Sequence, residues 1–115
     1  MERGASTLTR LLDSADPPTA VILEGNQLLE GALVVRSRRL RLGRDLSVVC
    51  RDDVPLGRLF HPPISTVMRD TGLMGRSAAK LLLESLTEPQ REPSTTVLAT
   101  RFESRASCGG PKRKG

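Results

Sequence analysis

Aromatic residues are almost missing from this chain. It has no Trp, no Tyr and two Phe, Phe60 and Phe102. Its core must therefore be built from Leu, Val, Ile and Ala. No run of about 18 apolar residues occurs, which excludes a membrane-spanning helix. The opening Met1-Glu2-Arg3-Gly4 lacks the basic-then-apolar order of a secretory signal. The expected compartment is a reducing cytoplasm. Histidine occurs once, as His61, and cysteine twice, as Cys50 and Cys108. Neither cysteine has a partner at metal-ligand spacing, so no metal site is expected and a disulfide has no support. Phosphate-cradling glycine loops and nucleophile elbows are also missing. No Ser, His and Asp grouping suggests a nucleophile. The expectation is a chain with no cofactor and no catalytic residues, not an enzyme.

What is present is enough for one domain at most: 115 residues, 37% hydrophobic and 27% charged. The formal charge of +5 is local. The tail Lys112-Arg113-Lys114 and the five arginines between Arg36 and Arg44 carry more than all of it. The remainder is net negative. A solvated helix end accounts for the arginines, although they could also touch phosphates. Nucleic-acid modules usually add stacking aromatics or a helix-turn-helix, and neither occurs.

Residues 1–7 read as a disordered terminus and 108–115 as a basic disordered tail, with a folded region over 8–107 between them. Ser6 is placed to cap a helix over 6–15 carrying Leu8, Leu11 and Leu12. Asp16-Pro17-Pro18 ends it. Ala20-Val21-Ile22-Leu23 is apolar on both sides and reads as a central strand of a covered parallel sheet. Asn26 is placed to cap a helix running to about Arg39, with Leu28, Leu29, Ala32, Leu33 and Arg36 along one side. Leu46 to Cys50 reads as a second strand, Pro55 to Phe60 as one helical turn, and Ile64 to Met68 as a third strand. Asp70 or Thr71 caps a helix to about Leu86. Thr95 to Glu103 reads as a last strand. The order implies an α/β fold with a partial, doubly wound parallel sheet and right-handed crossovers.

In such sheets ligands bind beyond the carboxyl ends of the strands. Two strands end there in polar residues, at Glu24-Gly25-Asn26 and at Arg51-Asp52-Asp53. A carboxylate on that edge can accept hydrogen bonds from the hydroxyls of a sugar or nucleoside. Asp52 and Asp53 could equally do no more than cap the turn that follows.

From Pro18 to Ser107 the chain resembles the C-terminal part of LacI/GalR-family transcriptional regulators. Pro18-Thr19-Ala20-Val21, Asn26-Gln27-Leu28 with Gly31-Ala32-Leu33, and Asp45-Leu46-Ser47-Val48-Val49 carry the likeness. So do Asp52-Asp53 with Pro55-Leu56, Pro62-Pro63-Ile64-Ser65-Thr66-Val67, Met74-Gly75, Ala78-Ala79 and Arg101-Phe102. The resemblance implies part of a periplasmic-binding-protein-like sensor, truncated relative to the family and lacking its helix-turn-helix headpiece. It also implies a sugar-like or nucleobase effector in a cleft. Asp52, Gly25, Asn26, Arg51 and Thr71 fall at effector-contacting positions. The helix with Leu28, Leu29, Ala32, Leu33 and Arg36 falls at the dimer face. The implied partner is a second copy or a full-length family member, with no operator binding by this chain alone. The sequence departs from the family pattern in places. Gly25-Asn26 stands for Asn-Asp, Cys50-Arg51 for Gly-aromatic, Arg39 for a helix-ending Gly, and Thr71 for a bulky ring. A stand-alone sugar- or nucleoside-binding module and a basic nucleic-acid binder are the alternatives.

Overall fold

The computed structural model describes residues 3–24, 27–52 and 55–111. Gly25 and Asn26 therefore lie outside the described residues, as do Asp53 and the tail arginine and lysines. The chain divides into two compact units. One comprises Met1–Met68 with Phe102–Gly115, the other Arg69–Arg101.

The first unit is built on a four-stranded sheet in the order β1-β2-β3-β4. Its strands are β1 (Ala20–Glu24), β2 (Ser47–Arg51), β3 (Ser65–Met68) and β4 (Arg101–Glu103). The first three run parallel, as the crossover order requires. Ala20 pairs with Ser47 and Glu24 with Arg51, so β1 and β2 end level with each other. The fold class is thus the expected α/β with an open, mostly parallel sheet.

One expectation about β1 is overturned. It lies at an edge of the sheet, and Ile22 is 73% exposed. Four apolar residues in a row read as central because each local neighbour favours burial. The pairing partner that would make β1 central is not encoded in those residues. The last strand is also shorter than its alternation suggests. Residues 95–100 have no regular structure, and Val97 is largely exposed.

The helices α1 (Arg3–Leu12), α2 (Gln27–Ser37) and α3 (Pro55–Leu59) complete this unit. Helix α1 starts three residues before the expected Ser6 cap, so residues 3–7 are helical. The reason is tertiary: the Ala5 N–H donates to the Glu30 carboxylate of α2 at 3.2 Å. An acidic side chain from another helix thus satisfies an orphan donor of the first turn. The helix ends at Leu12, where the Ser14 hydroxyl folds back onto the Leu11 carbonyl.

Helix α2 covers one face of the sheet. Leu28 and Val35 join Leu46, Val48, Cys50 and Ile64 in the buried core. Gly31 lets the helix approach β1 closely. A Cβ there would come within 2.6 Å of Leu23 Cδ1. The helix closes in a Schellman motif: Leu40 N–H donates to Val35 O and Arg39 N–H to Arg36 O, both at 3.0 Å. Arg39 sits at φ +53°, in the left-handed region where the resemblance places glycine.

Residues 104–109 are tied to the sheet. The Ser107 hydroxyl donates to Val48 O and accepts from Ser65 N–H, and Ser65 exchanges hydrogen bonds with the Arg105 backbone. Ser65, Thr66 and Ser107 are fully buried. Gly109 N–H donates to the Ser47 hydroxyl at 3.0 Å, so the segment beginning at 108, expected to be disordered, is anchored at its start.

The second unit is dominated by α4 (Thr71–Thr87). Asp70, one of the two cap positions the sequence offers, is its N-cap, accepting from Leu73 N–H at 2.8 Å. The Thr87 hydroxyl bonds the Leu83 carbonyl, and Glu84 pairs with Arg91. Among the described residues, no helix is long and apolar enough to cross a membrane.

Candidate functional site

The polar rim forms where β1 and β2 end. Register places Glu24 opposite Arg51 on the same face of the sheet. That face is the one opposite α2, because the alternate residues Val21, Leu23, Val48 and Cys50 point into the core. The Arg51 guanidinium donates to the Glu24 carboxylate. Both side chains are about half exposed, at 48% and 55%. Such a pair in contact with water contributes at most about 1 kcal/mol.

Asp52 follows immediately and is half-buried. Its N–H donates to Val67 O at 2.9 Å, which holds the turn against β3. Its φ is +74°. Asp tolerates that region better than most residues, yet the conformation is uncommon and costs energy. The turn thus takes the backbone out of the strand conformation at Asp52.

The structure therefore pairs Glu24 with Arg51, and Asp52 follows Arg51 in the chain. Of the expected effector contacts, Gly25 and Asn26 fall outside the described residues. Thr71 belongs to the second unit, where it is the exposed first residue of α4. Glu24 is the residue that the expected set omits. Its signal was its place at a strand end, but its pairing with Arg51 depends on a register between segments 27 residues apart.

The proposed dimer face needs one correction. Leu28 is 1% exposed within this single chain and serves the core, so it presents nothing to a partner. The buried line of α2 runs through Leu28, Gly31, Val34 and Val35 instead. Leu33 is 60% exposed, Arg36 is exposed and Ala32 is half-buried. The side chain of Leu29 is outside the description. Ala32, Leu33 and Arg36 also line a groove of about 500 Å³ with Leu40, Phe60 and Pro62.

The arginine stretch is partly neutralised. Arg38 pairs with Asp13 at 2.8 Å and Arg41 with Asp45 at 3.0 Å. The hydrogen bond and charge of Asp45 push the Arg41 pKa up from its ordinary value. Two of the five arginines are thus engaged by carboxylates, leaving a weaker field than the sequence suggests. Among the described residues, no group of three His, Cys, Asp or Glu is placed to hold a metal ion. Cys50 and Cys108 are not joined in a disulfide.

Residues 1–108 match the family model of the periplasmic binding protein-like domain. The chain is 32% identical over 114 residues to the HTH-type transcriptional repressor PurR of Erwinia tasmaniensis, covering 97% of this chain and 33% of that repressor. It superposes on the transcriptional regulator CelR in complex with cellobiose with a TM-score of 0.80 and 33% identity, covering 92% of this chain and 33% of that one. A LacI family regulator from Enterococcus faecium with bound ribose gives a TM-score of 0.76 and 26% identity, covering 96% and 41%. The chain spans about a third of the length of the first two.

Proposed function

This chain belongs to the periplasmic binding protein-like domain family, among LacI-type regulators, and from that premise we propose that it is the effector-sensing and pairing portion of such a regulator. The observation that carries this reading is the rim at the strand ends, where Asp52 leaves β2 at φ +74° directly after Arg51, which pairs with Glu24. Its carboxylate has acceptor sites for polyol hydroxyls even when one is engaged. The cellobiose and ribose bound by the two regulators above support a sugar-like effector. Operator reading is not assigned to these 115 residues. The role is binding rather than catalysis, and the cytoplasm is the compartment it implies.

Calorimetry of the full chain against neutral sugars and nucleosides tests the reading. The wild type gives saturable heat with at least one of them. Asp52→Ala and Asp52→Asn lose it, the second variant keeping a residue that tolerates the left-handed turn. No heat from the wild type with any of these compounds or with their acidic counterparts overturns the reading.

Pairing is assigned to the exposed side of α2, with Leu33 at its centre. The partner is a second copy or a full-length family member. Sedimentation of the full chain, alone and mixed with such a regulator, should give a dimeric species that Leu33→Asp abolishes. A well-folded monomer in both mixtures contradicts this assignment. The nucleic-acid alternative predicts retention on heparin at low salt. The carboxylate partners of Arg38 and Arg41 weigh against it.

A further inference from the structure

We propose that the ligand of this rim is an anionic polyol, a sugar acid or a sugar phosphate, rather than a neutral sugar. The inference rests on reading the rim as an effector site and names the class of its ligand. Three observations carry it. Arg51 is the last residue of β2, at the edge where that reading seats the ligand. Among the described residues its guanidinium is held by one carboxylate, Glu24, which is the last residue of β1 and its register partner. Both side chains are about half exposed.

A guanidinium has five donors in a planar fork, and a carboxylate or phosphate takes two of them at once. The Arg51–Glu24 contact is weak enough, by its exposure, to be exchanged. A ligand anion displaces Glu24 from the guanidinium, and the released Glu24 carboxylate returns to water. Asp52, one residue along, accepts from the hydroxyls of the same molecule. A neutral sugar gains nothing by breaking the pair, because its hydroxyls are poorer acceptors than the carboxylate they would replace. Arg51 is thus the source of the anion preference, and Glu24 is a built-in competitor that only a strong acceptor, a carboxylate or a phosphate, displaces.

The test titrates the full chain, by calorimetry at constant ionic strength, with matched sets: glucose, glucuronate and glucose 6-phosphate, and the corresponding galactose set. The expected result is an anion bound about tenfold or more tightly than its neutral counterpart. Arg51→Gln abolishes that preference, while Glu24→Gln strengthens anion binding several-fold by removing the competitor. The ratio between uronate and phosphate identifies which anion the site takes. Circular dichroism establishes that both variants are folded. Equal binding of neutral and acidic members overturns the anion proposal and leaves the effector reading standing. Lowered melting of both variants with an unchanged preference also overturns it, since the pair is then structural. No binding in any set overturns both readings together.

Discussion

Two helices of this chain are stabilised in opposite ways. Helix α2 of the first unit is held by packing. Leu28 and Val35 enter a shared core, Gly31 lies against Leu23, and the helix ends in a left-handed residue that is not glycine. Helix α4 of the second unit has no buried residue, although it is the longest element. It is held by its own chemistry: the Asp70 cap, the Lys80–Glu84 spacing and the Glu84–Arg91 pair. Leu82, Leu83 and Leu86 are all exposed. An amphipathic pattern therefore specifies a helix without specifying what covers it. Isolated helices of this length are marginal in water, so α4 is the softer element.

The largest expected contrast lies in side-chain truncation. Leu28→Ala should cost about 2–5 kcal/mol in urea unfolding of the first unit, from lost burial and the cavity left behind. Leu82→Ala, at a similar residue on α4, should stay within about 0.5 kcal/mol. Equal losses would erase the distinction between the two helices. Gly43→Ala should be the next most damaging change. Gly43 has φ +78°, and an added Cβ would meet Ala106 O at 2.4 Å. About 1–2 kcal/mol is expected from the backbone conformation alone, and the clash adds to it. Asp70→Ala should remove about 1 kcal/mol from α4. Amide exchange should report it in residues 71–87 and leave the amides of β2 unchanged. The smallest effect has the opposite sign. Arg39→Gly should stabilise the first unit by about 0.5–1 kcal/mol, seen as a higher urea midpoint, because glycine relieves the left-handed conformation at the Schellman position.

These contrasts follow the line between what the sequence reveals and what it conceals. Local signals were readable. The Asp70 cap, Pro55 at the start of α3 and the apolar Ser47–Cys50 run each depend on a few neighbouring residues. The left-handed Arg39 was legible too, since the resemblance expects glycine there. Non-local facts were hidden. The edge position of β1 depends on a strand that its own residues do not encode. Glu30 accepting from Ala5 joins residues 25 apart, which moved the start of α1. The placing of Leu28 in the core came from how α2 rotates onto the sheet, which a stripe of apolar letters leaves undetermined. At the candidate site, Asp52 was visible as a strand-end carboxylate. Its engagement beside a Glu24–Arg51 pair was not, because register is a property of two strands together.

The central claim is that the ends of β1 and β2 form a ligand rim. Backbone amide shifts of the full, isotopically labelled chain, followed during titration with neutral and acidic sugars, test it most directly. Saturable changes are expected at Glu24, Arg51, Asp52 and Val67, the residues joined by the register pair and the Asp52–Val67 hydrogen bond. These changes should vanish in Asp52→Asn. Saturable shifts centred instead on the groove beside Leu33 and Phe60, with the strand ends unmoved, would contradict it.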